Sequence, residues 1–334
     1  MHFLKLEKCD RKMVEDKPLV SIIVPVYNVE SYIRRCLESI ATVIRKSDDR
    51  EIEIICVDDG SDDKSGAICD EYALKYKNIK VYHNKNQGVS RARNFGLHKA
   101  NGTYIAWCDS DDFLDEKWYE YVVYTLRSED VDGVVIGYTK KYNNKEKNIV
   151  CETYGLCEQK EYIKLLSADD KIKSYLYIHI LKKEILSKCK MDFNLNTYED
   201  YDLLTQTSLL MRKIYIINKP LYYYTFRKSS ITNTSKPEDL FNAMKIAKKR
   251  CEIYQLKGIP YSKAGYWKTI MIYCIKSAYD KQEYCRYKTC IEGLKNTMID
   301  IALARKLNLK YKVCLLMLMV FPRNLIGKMW GILK

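Results

Sequence analysis

Three observations predict an α/β protein with a mainly parallel sheet flanked by helices. Short apolar runs that suit strands buried on both faces alternate with amphipathic helical stretches. The alternation repeats along the first 150 residues, and acidic or aromatic loops recur after the strands, where ligands collect in such sheets. In order, "PLVSIIVPVYN" is a strand, and "ESYIRRCLESIATVIRK" a helix with Tyr32, Ile33, Cys36, Leu37, Ile40 and Ile44 at helical spacing. "EIEIICV" is a second strand and "SDDKSGAICDEYALKY" a second helix, with Ser61 as its expected N-cap. Then come strand "IKVYH", helix "VSRARNFGLHKA", strand "TYIAWC", helix "DEKWYEYVVYTL" and strand "VDGVVIGYTKKY". From about Glu152 the texture changes, and "GLCEQKEYIKLLSADDKIKSYLYIHILKKEIL" reads as helical. "NLNTYEDYDLLTQTSLLMRK" is a polar loop whose acidic cluster opens an amphipathic helix, and "IYIINKPLYYYTFRKSSITN" is a strand or hairpin. Basic helices follow Pro237.

A chain of 334 residues with 47% hydrophobic residues builds a real core and exceeds one ordinary domain. Its thirteen cysteines lack C-x-x-C or Cys/His ligand spacing, which reads as small buried side chains in a reducing cytosol. The first residues have no signal-peptide core, and no run reaches the roughly 18 apolar residues of a membrane span. The net charge of +14 resides in the tail: from Phe241 onward 19 Lys and Arg face 5 Asp and Glu. Nucleic acid is not an expected partner, because that charge lies outside the α/β part and no nucleic-acid motif accompanies it.

Neither G-x-G-x-x-G nor a P-loop follows the first strand, so phosphates must be held another way. "DSDD" after "TYIAWC" is the first option. Asp109 and Asp111 suit a hard divalent cation, which is usually bound by one or two carboxylates plus substrate phosphates. The alternative is a solvated turn, with Asp112 capping the next helix. "VDDGS" can meet a base edge or ribose through its carboxylates, or form an Asx turn. Tyr27 lies against a base or packs on the core, and Arg91 and Arg93 hold anionic oxygens or are simply solvated. Glu199 and Asp200 are chemically active or merely complement a helix dipole.

Taken together and in order, "SIIVPVYNVESYIRRCLESI", "IEIICVDDGSDDKS", "NQGVSRARNFGLHKANGTYIAWCDSDD" and "EDYDLL" strongly resemble family 2 glycosyltransferases, which have the GT-A fold. "PLYYYTFRKSSIT" is similar to the Tyr-rich segment after the catalytic helix in many bacterial members. The resemblance covers about residues 18 to 235. It implies a 1–17 extension, a GT-A unit at 18–235 (18–130 for the nucleotide sugar, 131–235 for the acceptor) and a basic helical region at 236–334. It further implies that Pro25 and Tyr27 border the base, that Asp59 meets uracil or ribose, and that Asn86 and Arg93 face the donor. Asp109 and Asp111 match the D-x-D acids, with Asp111 the closer ligand of Mn²⁺ or Mg²⁺, and Asp200 matches the catalytic base beside Glu199. Many relatives carry a Trp-x-Lys-type pattern where this chain has Tyr177 and His179, a departure that leaves His179 better suited to packing than to catalysis.

The implied reaction is an inverting transfer of a sugar, from a UDP-sugar by family precedent, to a hydroxyl of a glycan or lipid-linked saccharide in surface-polysaccharide synthesis. A sugar nucleotidyltransferase would need a glycine-rich, basic first loop, which "PVYNVES" lacks. A non-catalytic sugar- or lipid-binding scaffold would not need the metal and base positions filled. The tail, "YKVCLLMLMVFPRNLIGKMWGILK", reads as a basic interfacial helix placing a cytoplasmic enzyme on the inner membrane face, or as a helix docked on the protein.

Overall fold

The computed structural model describes residues 17–47, 51–142, 145–191, 198–226, 236–278, 280–304, 307–321 and 323–326. The N-terminal extension up to Asp16, the "RKSSIT" of the tyrosine-rich segment, and Lys328, Trp330 and Lys334 lie outside the described residues.

The first half is the expected alternation: β1 (Val20–Val26), α1 (Glu30–Lys46), β2 (Ile52–Asp58), α2 (Ser65–Lys75), β3 (Ile79–His83), α3 (Val89–Lys99), β4 (Tyr104–Trp107). β1 and β2 are buried at every position, as strands covered on both faces must be. β3, β2, β1 and β4 lie side by side and parallel. Their carboxyl ends, and so the loops after β1, β2, β3 and β4, share one rim.

The second half contains β5 (Phe113–Leu114), α4 (Trp118–Ser128), β6 (Gly133–Tyr142), β7 (Lys145–Ile149), β8 (Gly155–Glu158), α5 (Gln159–Ala168), β9 (His179–Lys182), α6 (Lys183–Leu186), α7 (Glu199–Ser208) and β10 (Lys213–Thr225). The sheet order is β3-β2-β1-β4-β9-β6-β10-β5, with β7 on β6 and β8 on β10. β9 runs antiparallel between β4 and β6 and joins the halves. β10 pairs in parallel with β6, and its register shifts around Pro220, which has no N–H to give to a ladder.

Three expectations are corrected. The stretch from Gly155 to Leu186 is not continuously helical: only Gln159–Ala168 and Lys183–Leu186 are α-helix, while "HILK" is a strand at the centre of the sheet. β-Branched and aromatic residues there fill a slot closed on both faces, and a short apolar run does not reveal its period. Ser61 is not the cap of α2, which starts at Ser65. Asp58 takes the Ser61 N–H at 3.0 Å, and Asp63 takes that of Ser65 at 2.9 Å. Asp112 caps no helix and is buried.

The C-terminal region consists of α8 (Pro237–Leu256), α9 (Ala264–Lys276), α10 (Tyr284–Asn296), α11 (Met298–Leu303), α12 (Leu309–Val320) and α13 (Arg323–Ile326). Its apolar residues, Leu240 to Ile326, form a cluster separate from the one around the sheet. Arg250 of α8, 1% exposed, fastens it to the second half of the α/β part. Its guanidinium donates to Thr205 Oγ1 at 2.7 Å, Ser174 Oγ at 2.9 Å, Tyr201 O at 2.6 Å and Leu166 O at 3.4 Å, and it lies 3.3 Å from the Tyr201 ring centroid. α12 docks through Cys314, Leu315 and Leu318 but leaves Leu309, Val313, Leu316 and Val320 exposed at helical spacing. Among the described residues no helix is long and apolar enough to cross a membrane.

Candidate active site

The rim is assembled by the loops that the sheet brings together. Pro25 is buried within β1 opposite Val57, and Tyr27, just beyond the strand, is 46% exposed, which leaves its ring available to a planar ligand. Asn28 turns the chain with φ +48° and accepts the Asp62 N–H at 2.9 Å, tying the first loop to the second. Asp59 is only 4% exposed, and its oxygens accept the N–H groups of Gln87 at 3.0 Å and Gly88 at 2.7 Å. Its carboxylate thus shapes the loop that carries the exposed Asn86. Gly60 has φ +76°, and a Cβ there would lie 2.9 Å from Asn86 N, so the two loops touch through backbone.

The "DSDD" loop divides its acids. Asp112, 1% exposed, accepts Tyr222 Oη–H at 2.8 Å and Thr225 N–H at 2.7 Å, and Tyr222 Oη accepts the Asp109 N–H at 3.1 Å. Burial, followed by the charges of Asp111 and Asp109, pushes the Asp112 carboxyl well above its ordinary range. Arg35 of α1 donates to Asp111 O at 2.9 Å and Thr225 Oγ1 at 2.7 Å, closing the loop from the other side. Asp109 and Asp111 remain at the partly exposed face.

Arg93 of α3 joins this loop to the α7 N-terminus. Its guanidinium pairs with Asp109 Oδ1 at 2.7 Å and with Glu199 Oε1. Its buried Nε finds no partner among the described residues. Glu199 and Asp200 occupy the first turn of α7, where the helix dipole favours negative charge. Even so, Asp200 is held well above the ordinary carboxylate range, by burial first and by Glu199 second, with Arg93 opposing. Asp109, Arg93, Glu199 and Asp200 are therefore one electrostatic group, although the sequence separates them widely.

His179 is fully buried in β9, its Nδ1 lies 2.7 Å from Tyr175 O, and burial lowers its pKa to about 4, so it is a neutral packing residue. Tyr177 stacks on Tyr222 with centroids 4.4 Å apart, on Tyr175 at 5.1 Å and on Tyr224 at 6.1 Å. Sequence reasoning missed Tyr222, Arg35 and Arg250. The "LYYYT" run hinted at an aromatic face, but nothing local marked the two arginines.

Asp109 and Asp111 offer hard oxygen donors. Among the described residues, however, no group of three or more His, Cys, Asp or Glu gathers that could hold a metal. Two carboxylates alone would leave a Mg²⁺- or Mn²⁺-like ion to complete its shell with water or a bound ligand.

The family model "Glycosyl transferase family 2" matches residues 21–183. EpsH of Bacillus subtilis is 33% identical over 223 residues, covering 65% of this chain and 63% of EpsH. The glycosyltransferase GlyG of Streptococcus pneumoniae is 34% identical over 227 residues, covering 65% of this chain and 73% of GlyG. The minor teichoic acid biosynthesis protein GgaB of B. subtilis is 34% identical over 227 residues, covering 65% of this chain and 24% of GgaB. The chain thus spans less than two thirds of EpsH and about a quarter of GgaB. In fold it is similar to S. aureus TarS 1-349 solved with UDP-GlcNAc, with TM-score 0.65, 19% identity and coverage of 94% of this chain and 92% of that one. The chain belongs to glycosyltransferase family 2 and has the GT-A fold.

Proposed function

We propose that the chain is an inverting transferase that moves a sugar from a UDP-sugar to a hydroxyl of a glycan or lipid-linked saccharide in surface-polysaccharide synthesis. The observation that carries this reading is the convergence of Asp109, Arg93, Glu199 and Asp200 at the strand ends. The UDP-GlcNAc and UDP complexes of TarS support a uridine donor, and the name of GgaB, a minor teichoic acid biosynthesis protein, supports a cell-surface glycan. On this reading 18–235 is the transferase unit, with 18–130 on the donor and 131–235 on the acceptor, and 236–334 braces it.

Tyr27 and the Asp59-supported loop, with Pro25 behind them and Asn86 beside them, hold the nucleoside. Asp111, with Asp109, would hold a divalent ion; the PcManGT neighbour was solved with GDP-Man and Mn²⁺. When bound, such an ion supplies Lewis-acid stabilisation of the leaving diphosphate, worth several kcal/mol. Asp200 takes the acceptor hydroxyl's proton as that oxygen attacks the anomeric carbon in line. Its raised proton affinity suits a group that must accept a proton. Glu199 fixes Arg93 and keeps that affinity high. The test incubates the full chain with Mn²⁺ and a panel of UDP-, GDP- and CMP-sugars and reads nucleotide release. UDP release is expected, and Asp111→Ala should lose metal-dependent donor binding. No turnover or binding of any nucleotide sugar refutes the reading.

The exposed stripe Leu309, Val313, Leu316 and Val320, in a region rich in lysine, supports peripheral attachment to the cytoplasmic membrane face. Flotation with anionic vesicles should retain the wild-type chain and lose the Leu316→Asp/Val320→Asp variant. Equal retention of both would remove the stripe as the contact.

A further inference from the structure

A histidine outside the group just described stands behind the loops of β1, β2 and β3. His83 ends β3, and its half-exposed ring lies between two carboxylates: Nδ1 is 2.8 Å from Asp58 Oδ2, and Nε2 is 3.2 Å from Asp70 Oδ1. Asp58 ends β2 and is buried, while Asp70 belongs to α2. A neutral imidazole carries a single N–H, so only the imidazolium donates to both acids. The bond to Asp58, opposed by partial burial and assisted by Asp70, raises the His83 pKa above its ordinary 6.5. Asp58 from β2 and Asp70 from α2 are the charged groups that act on the ring, and α2 also brings the neutral Gly66 against it.

Gly66 shows how closely the pair is packed. A Cβ there would lie 2.7 Å from Asp58 Oδ2 and 3.2 Å from His83 Cε1. Alanine suits a helix better than glycine, so the close approach of the backbone to the pair is what calls for glycine in the first turn of α2.

From Asp58 the connection runs on into the loops. Asp58 Oδ1 accepts the Ser61 N–H at 3.0 Å, and Ser61 Oγ accepts the N–H of Asn28, the neighbour of Tyr27, at 3.1 Å. The Asp58 carbonyl accepts the Asn84 N–H at 2.8 Å, and the Asp59 N–H donates to Val26 O at 2.8 Å. The Asp59 carboxylate then holds the N–H groups of Gln87 and Gly88. One buried carboxylate thus links His83 to the loops after all three strands.

We propose that His83 is a positioning residue for the donor's nucleoside: its imidazolium pins Asp58 against α2 and thereby sets the loops that carry Tyr27, Asp59 and Asn86. The nucleoside assignment rests on the transferase reading above; the bridge itself does not. Loss of the proton leaves one ring nitrogen without a hydrogen facing a carboxylate oxygen, so one side of the bridge opens. Donor affinity therefore falls as pH rises through the His83 pKa.

The test has two arms, both on the full chain. Calorimetry titrates UDP, in Mg²⁺, into the wild type, His83→Gln and Gly66→Ala from about pH 6.5 to about pH 9. The ratio of wild-type to variant affinity cancels the titration of UDP itself. It should be about fivefold at the acid end and approach unity at the alkaline end. His83→Gln alone carries this arm if Gly66→Ala does not fold. Proton NMR follows the four histidines, with the His83 signal identified by its absence from His83→Gln. The His83 pKa should lie above 6.5 in the wild type and fall in Gly66→Ala, whose Cβ displaces the Asp58 carboxylate. A ratio of unity throughout, or one that stays constant with pH as a merely structural histidine would give, overturns the positioning role. A His83 pKa at or below 6.5 overturns the bridge and the proposal with it. A wild type that binds UDP at no pH refutes the uridine donor and with it the nucleoside role, while the NMR arm still decides the bridge.

Discussion

Asp200→Asn is expected to lower sugar transfer about 10²- to 10⁴-fold while UDP binding in Mn²⁺ stays at the wild-type value. The substitution keeps the volume and the acceptor for the Tyr201 N–H at 2.7 Å, so α7 keeps its first turn. What is lost is a carboxylate whose proton affinity is raised by burial and by Glu199. The same origin fixes a pH effect. A base must be deprotonated to act, so transfer falls as pH drops through the Asp200 pKa. Glu199→Gln removes a neighbouring negative charge and lowers that pKa, so the acid limb of kcat/KM should move to lower pH. Motion to higher pH, or none, contradicts the coupling. A wild-type rate in Asp200→Asn would assign the base elsewhere.

Arg250→Ala is expected to destabilise the fold by about 3 kcal/mol in urea unfolding and to depress transfer even where the variant is fully folded. The guanidinium fills a site that is 1% exposed; its loss leaves a buried gap and takes one hydrogen bond from each of the carbonyls of Leu166 and Tyr201, which keep the Asp169 N–H and the Thr205 hydroxyl. Among the described residues no carboxylate is one of its hydrogen-bond partners, so its charge is met there by neutral oxygens and the Tyr201 ring. Tyr201 follows Asp200 directly, so a loosened α7 start displaces the base, and a small misplacement of a reacting group is costly. Arg250→Lys retains the charge but not the planar fork and should recover only part of the loss. A variant with wild-type stability and rate would show that α8 does not brace α7.

Much of the fold was legible because local pattern and global placement agree. β1 and β2 are continuous apolar runs, buried at every position, and α1 buries the Ile33, Cys36, Leu37 and Ile40 face that its spacing announces. β9 was illegible, since "YIHIL" carries no clear period and its partners, β4 and β6, are remote in sequence. The site divides similarly. Asp109, Asp111 and Asp112 look alike in the chain; what separates Asp112 is Tyr222, 110 positions away. Arg93 looked like an anion binder, and its partner Glu199 lies 106 positions on. Asp59 looked like a carboxylate waiting for a ligand, yet two loop N–H groups already occupy it.

The antiparallel insertion of β9 bears on how the chain folds as it is made. β1 to β4 can pair as soon as they leave the ribosome, but the far side of β4 is covered only when Leu181 and Lys182 meet Ile105 and Tyr104. Until then Ile105 presents unpaired backbone beside buried apolar neighbours, which is an adhesive edge. Such non-local closure is slow. Translation stalled between Asp109 and Ile178 would release a nascent sheet prone to pair with its copies, so the interval before β9 is synthesised is when this protein most needs a chaperone.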